Sequence, residues 1–456
     1  MKTTKFDIDY AQEVLRRRDM RDILTFTIDP ATAKDFDDAI SFAVVEEGVY
    51  QIGVHIADVS FFVPYGSDLD ERAYERGNST YLVDQVIPML PEELSNDLCS
   101  LMPNEDRLCM SVIFTMDAEA QVIKHKICRT VIHSDARLNY DEAQQIIEGQ
   151  HVDIPVSRYN DLSEALLTIN ALALKLRKAR MANGALDIEQ EEPHFRLDDN
   201  GHPVEIYFEQ PNEAHHLIEE FMLLANRTVA AEIGNRPFIY RVHDKPDPDK
   251  LADIDTFKSQ FKHQPSEITH IIDLLMIRAQ AKAVYSTNNI GHYGLRFPYY
   301  THFTSPIRRY PDLMVHRLVA QYILKGKPAS YTKQELDTIC EHCSNTEQAA
   351  QLDERDSIKY FQTLWMTDHV GEILDGHIVS VTDFGVFVRL DESRCEGLVH
   401  IHQLCHGEYM AYDEKHHRLV SASNKVFTLG DPLRVQVVKA DIYKSQIDFI
   451  PAEQEE

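Results

Sequence analysis

Four aspartates, Asp29, Asp35, Asp37 and Asp38, fall within ten positions of this chain, between two segments that both read as strands. Thr25–Asp29 alternates until Pro30 interrupts any ladder, and Ala39–Val45 resumes as an apolar run. The acidic stretch therefore sits where a loop enters a core sheet. Carboxylates at this density repel one another: at about 4 Å, two like charges cost about 4 kcal/mol even at an effective dielectric of about 20. Either the loop is solvated, or divalent cations offset the repulsion and make the cluster a site. All-oxygen donors suit Mg²⁺ or Mn²⁺ rather than zinc, and the stretch lacks the glycine and closing glutamate of an EF-hand loop. A Mg²⁺ (or Mn²⁺) site at the rim of a core is the expectation.

The rest of the chain reads as sheet first and helices afterwards. Val49–Val63, Met110–Thr115 and Val122–Ile132 are strand-like. Leu162, Leu166, Ile169, Leu172 and Leu176 then recur at helical spacing, with Gly184 placed to end the helix. A second helix is expected from Glu213 to Ile233, with Leu217, Phe221, Leu224 and Ala225 as its apolar stripe, and further helices over 265–285, 308–324 and 333–364. Composition shifts near Gly371 to short strands and turns that continue to Ile450. The fold class is α+β, a mixed sheet with packed helices followed by a small all-β barrel. The expected units are an N-terminal extension (1–20), a main domain (21–367), the barrel (368–450) and an acidic tail (451–456).

Composition excludes some classes and complicates others. Hydrophobic residues make up 43% of the 456, enough for sizeable cores. No run approaches the about 18 apolar residues of a membrane helix, and the start lacks the apolar stretch of a signal peptide. Seven cysteines, an odd count with one close pair at Cys340 and Cys343, fit a reducing cytoplasmic setting better than a disulfide scaffold or a zinc site. A net charge of −28 argues against diffuse nucleic-acid affinity. It leaves room for a basic channel inside an acidic exterior, with Arg16–Arg18, Arg21 and Arg308–Arg309 as candidates; the competing reading for each run is an ordinary solvated face.

Three blocks then make the chain specific. The first is Ile28-Asp29-Pro30 with Ala33-Lys34-Asp35-Phe36-Asp37-Asp38-Ala39. The second is Tyr81-Leu82 with Val86-Ile87-Pro88-Met89-Leu90-Pro91 and Leu94–Leu101. The third runs from His292-Tyr293-Gly294-Leu295 through Tyr300-Thr301-His302-Phe303-Thr304-Ser305-Pro306-Ile307-Arg308-Arg309-Tyr310-Pro311-Asp312. In this order they resemble the signatures of the RNase II/RNase R family of exoribonucleases, over residues 20 to 365. The segment after Gly371 resembles the OB-fold domain named after ribosomal protein S-one, a small RNA-binding barrel. Family members usually carry cold-shock OB domains before the catalytic unit. The short stretch before the match is too small for one, so the resemblance implies either a minimal member or a fragment.

The resemblance implies a Mg²⁺-dependent hydrolytic enzyme that degrades single-stranded RNA from a free 3′ end, processively, to nucleoside 5′-monophosphates, as a monomer. Asp29, Asp35, Asp37 and Asp38 match its metal ligands, with Asp37 also catalytic. Asp35 and Asp37 share a face of an extended chain and Asp38 does not, so the segment must bend for all four to converge. Arg308 corresponds to the family's catalytic arginine, a fixed fork of donors suited to phosphate oxygens; the alternative is a structural ion pair at a helix N-terminus. Tyr81 matches the tyrosine that stacks on the terminal base, and Ile188 stands where a second aromatic is usual. Tyr140 and Glu219 match ribose contacts, or are buried structural residues. Phe384, Phe387 and His400 occupy base-stacking positions of the barrel, although Phe384 and Phe387, three apart on a strand, would face opposite sides and place one in the core. Two rivals stay open. A metal-dependent endoribonuclease would cut circular RNA, and a catalytically silent RNA-binding protein on this fold would be expected to lack the aspartates or the arginine.

Overall fold

The computed structural model describes residues 9–154, 158–186, 192–248, 275–276, 279–328, 330–405 and 407–452. Its main unit is built on a seven-stranded sheet. The strands are β1 (Arg18–Asp19), β2 (Thr25–Asp29), β3 (Asp38–Glu46), β4 (Val49–Ala57), β5 (Asp106–Asp117), β6 (Val122–His133) and β7 (Ala136–Asn139). Their order is β1-β6-β5-β4-β3-β2-β7, antiparallel except at the two outer pairs. β5 is buried throughout its interior, as a strand covered on both faces must be.

Helices cover this sheet. Tyr159–Ala182 buries Leu162, Leu166, Ile169 and Leu172, as the spacing predicts, and Gly184 follows with a φ of 82°. Glu213–Glu232 buries Leu217, Phe221, Leu224 and Ala225. Tyr310–Val319 is buried at every position, and Lys333–Met366 starts from a capping box between Thr332 and Glu335. Cys340 and Cys343 lie on that last helix within the main core. Among the described residues no helix is long and apolar enough to cross a membrane.

The long helix also joins the two cores. Its Met366 is buried with Ile378, Val386, Val388, Val399, Val435, Val437 and Phe449, the interior of a six-stranded barrel sheet. A three-stranded sheet over Met410–Thr428 flanks it. The antiparallel hairpin Glu192–Leu197/Pro203–Glu209 packs Ile206 against the same core.

Several elements differ from the sequence reading. The strand from Val49 stops at Ala57, and Val59–Phe62 is a helical turn. The break falls at Asp58, whose buried carboxylate lies 2.8 Å from Arg17 and 3.1 Å from Arg129. The helix expected over 265–285 lies largely outside the described residues, and its end, Val284–Ser286, is a strand paired with Tyr240–Val242. The helix expected over 308–324 begins at Tyr310, and its last five residues, Ala320–Leu324, widen into π-type turns. Residues 453–456 of the expected acidic tail lie outside the described residues.

Candidate active site

The aspartate segment is folded by its neighbours. Asp29 ends β2 and Asp38 begins β3. Between them, a turn closes with the Ala33 amide donating to the Pro30 carbonyl at 3.0 Å. Ser100 then braces the chain: its Oγ donates to the Lys34 carbonyl at 2.8 Å and accepts from the Phe36 amide at 3.0 Å. Phe36 is buried in the core, and its neighbours Asp35 and Asp37 line the cavity instead. This bend brings Asp29, Asp35, Asp37 and Asp38 to the wall of that one cavity, of about 460 Å³.

The third sequence block supplies the opposite wall. The Ile307 amide donates to Asp37 Oδ1 at 2.8 Å, and Arg308 Nε stands 3.7 Å from Asp37 Oδ2. Arg308 keeps 42% of its side chain exposed and donates to Ser305 Oγ at 3.0 Å. Arg309 turns inward to Asp312, 2.8 Å away. The second block is tied to the same loop. Ser79 donates its amide to the Arg308 carbonyl at 2.9 Å, which sets Tyr81 at the rim with its hydroxyl 3.4 Å from Asp35 Oδ2.

Tyr140 and Glu219 complete the lining. Tyr140 opens the helix Tyr140–Ile147 and stacks on His215 with ring centroids 3.7 Å apart. Glu219 is held by Arg180 at 3.1 Å and Arg177 at 3.5 Å. The predicted residues of the main unit thus converge, except Ile188, which lies outside the described residues.

Sequence reasoning missed several lining residues, among them Met222, Leu223, Asn226, Tyr300 and Ser305. Glu219, Met222, Leu223 and Asn226 recur at i, i+3, i+4 and i+7 of Glu213–Glu232, a second stripe beside the core stripe, so periodicity could have found them. The N-terminal arginines go elsewhere and do not line the cavity. Arg17 pairs with Glu13 and Asp58, and Arg21 with Asp19 and Asp106.

Electrostatics mark the cluster as costly to hold ionised. Burial pushes the Asp37 carboxyl well above the ordinary range, against the pull of Arg308. Asp29 is raised by burial and by the charge of Asp38, and burial raises Asp38 to about 6. Asp29 Oδ2 and Asp37 Oδ2 are buried without a hydrogen-bond partner. Among the described residues no three His, Cys, Asp or Glu side chains are already drawn into a ligand cage. The donors nevertheless fit a hard divalent cation: all are carboxylate oxygens, two of them buried and unpartnered, in a cavity open to a phosphate-sized group.

In the barrel, Phe384 lies in the turn before its strand and is 45% exposed, and Phe387 is half-buried on the outer face. They meet edge to face at 6.1 Å, beside the exposed His400 paired with Gly385. Neither is in the core, contrary to the sequence reading, because Phe384 is not on the strand and strand alternation does not apply to it.

Comparison with known proteins agrees with this architecture. The RNB domain family model matches residues 17–325, and the S1 RNA binding domain model residues 367–449. Ribonuclease R of Thermotoga maritima is 39% identical over 98% of this chain and 66% of its own length. Ribonuclease R 1 of Lactococcus lactis is 40% identical over 97% of this chain and 57% of its own length. The chain therefore spans about three fifths of the length of these relatives. Mycoplasma genitalium RNase R, solved in complex with ribose methylated single-stranded RNA, superposes with a TM-score of 0.91 at 28% identity, covering 98% of this chain and 73% of that one. With an RNB domain over most of its length, followed by an S1 domain, the chain belongs to the RNB family and is homologous to the ribonucleases R.

Proposed function

We propose that the chain is a hydrolytic 3′-to-5′ exoribonuclease that degrades single-stranded RNA processively to nucleoside 5′-monophosphates with Mg²⁺ or Mn²⁺. The observation that carries this reading is the convergence of four aspartates, Arg308 and Tyr81 from three distant blocks on one cavity. Asp29, Asp35, Asp37 and Asp38 would hold the cation or cations. Bound there, a divalent ion supplies charge neutralisation at the scissile phosphate and lowers the pKa of the attacking water. Asp37, fixed by the Ile307 amide, orients Arg308 toward the non-bridging oxygens. Tyr81, 41% exposed at the rim, offers its ring to the terminal base.

Tyr140 and Glu219 face the ribose in this reading. A carboxylate accepting from a 2′-hydroxyl favours RNA over DNA, and Arg177 and Arg180 hold Glu219 in place for it. Residues 21–367 carry the chemistry, and 368–450 hold the incoming strand through Phe384, Phe387 and His400. A second grip on the strand favours processive release. The free cysteines fit a cytoplasmic setting, and in this reading the molecule acts as a monomer.

The test is a gel of 3′- and 5′-labelled single-stranded RNA, and of circular RNA, with Mg²⁺ and with EDTA. The reading requires immediate mononucleotide release from the 3′ label, gradual shortening of the 5′-labelled strand, intact circles, and no reaction in EDTA. Cleaved circles would make it an endonuclease. Binding without any cleavage would make it a silent RNA-binding protein.

A further inference from the structure

Asp312 lies fully buried in the first turn of the helix Tyr310–Val319, behind the wall that carries Arg308. It does not line the cavity. Its Oδ1 accepts two hydrogen bonds, from the Ser305 amide at 2.8 Å and from Arg309 Nη2 at 2.8 Å. Ser305 is in turn the hub of the loop. Its carbonyl accepts from the Arg308 amide at 3.3 Å and the Arg309 amide at 3.0 Å, and its Oγ accepts from Arg308 Nη2 at 3.0 Å.

A half-exposed arginine has many rotamers, and the loop backbone sets where its fork starts. The Arg308 side chain is held by one hydroxyl at 3.0 Å and one carboxylate at 3.7 Å, and the hydroxyl belongs to Ser305. Asp312 fixes Ser305 from behind. Arg309, half-buried beside it, balances the charge of the fully buried Asp312, so a carboxylate can serve as a strong acceptor there.

We infer that Asp312 is a positioning residue. Acting through Ser305, it aims the Arg308 guanidinium over the aspartate cluster without touching substrate. The inference rests on the exoribonuclease reading and adds a residue to it.

The experiment is a double-mutant cycle on RNA turnover with four proteins: wild type, Asp312→Ala, Arg308→Ala and the double variant. Asp312→Ala should lower kcat at least tenfold and leave the Kd for RNA within threefold. The double variant should be no slower than Arg308→Ala alone, because a mis-aimed arginine and a missing one fail alike. Asp312→Asn keeps a carbonyl oxygen for the Ser305 amide and should recover kcat to within threefold of wild type. If Asp312→Ala loses its cooperative thermal melt, Asp312→Ser, polar but too short to span to Ser305, carries the same expectations for kcat and for the cycle. Multiplying losses in the double variant, or unchanged kcat in a folded Asp312 variant, overturn the inference. A wild-type protein that releases no nucleotide overturns the exoribonuclease reading instead.

Discussion

Asp37 and Arg308, separated by most of the main domain in sequence, face each other at 3.7 Å between carboxylate Oδ2 and guanidinium Nε. The distance is longer than a direct hydrogen bond, and the carboxylate is buried while the arginine is half exposed. The pair is thus a poised one: the arginine is drawn toward the cluster yet stays half exposed to an incoming group. Arg308→Lys keeps the charge and removes the fork. It should lower kcat about a hundredfold or more with little change in RNA affinity, measured by single-turnover kinetics and filter binding.

The backbone around Tyr81 is held by the long helix. Glu354 Oε1 accepts the Tyr81 amide at 2.9 Å, and Ser357 Oγ accepts the Val83 amide at 3.1 Å. Glu354→Ala should loosen this turn without touching the aspartates. Base stacking is worth about 1–3 kcal/mol, so the limit product should lengthen by a nucleotide or more while cleavage of long RNA stays within threefold. An unchanged product ladder in both Glu354→Ala and Tyr81→Ala would remove Tyr81 from the substrate path.

Phe384, Phe387 and His400 lie outside the barrel core, so removing them should not unfold it. The triple alanine variant is expected to weaken binding of long single-stranded RNA at least tenfold and to leave kcat on short, saturating RNA unchanged. Equal affinity for long RNA would place the strand elsewhere on the barrel.

His55 supplies a pH prediction separate from catalysis. It is fully buried, with Nδ1 2.7 Å from Ser111 Oγ and Nε2 2.8 Å from Ser41 Oγ. Burial holds its pKa down at about 3. The unfolded chain therefore binds a proton below its ordinary value that the folded chain refuses, and stability falls as pH drops through about 6.5 toward about 3. For this group alone the loss between about pH 7 and about pH 5 is on the order of 2 kcal/mol. Urea melts of wild type and His55→Gln at both pH values should show a shallower acid loss in the variant, whatever its absolute stability.

Much of this site was legible in the sequence because its residues come in blocks whose local pattern betrays their setting. Asp29 ends an alternating strand, Asp38 starts an apolar one, and Arg308 precedes a helix with proline in its first turn. The helices of Leu162 and Leu217 followed from periodicity alone. What was not legible depends on contacts between distant segments. Ser100 bends the aspartate loop from outside it, Asp58 breaks an apolar run through two arginines from distant segments, and Arg17 is drawn into that pair instead of a channel. Phe384 was misplaced because the two-residue turn Asp383-Phe384 suspends strand alternation.

The central claim is that the buried carboxylates serve chemistry rather than stability, and Asp37→Asn tests it most directly. The substitution keeps the shape and the acceptor for the Ile307 amide while removing the charge. RNA affinity and RNA degradation are measured side by side at saturating Mg²⁺. Affinity preserved within threefold with turnover down at least about a hundredfold is the predicted result; turnover equal to wild type would contradict the account.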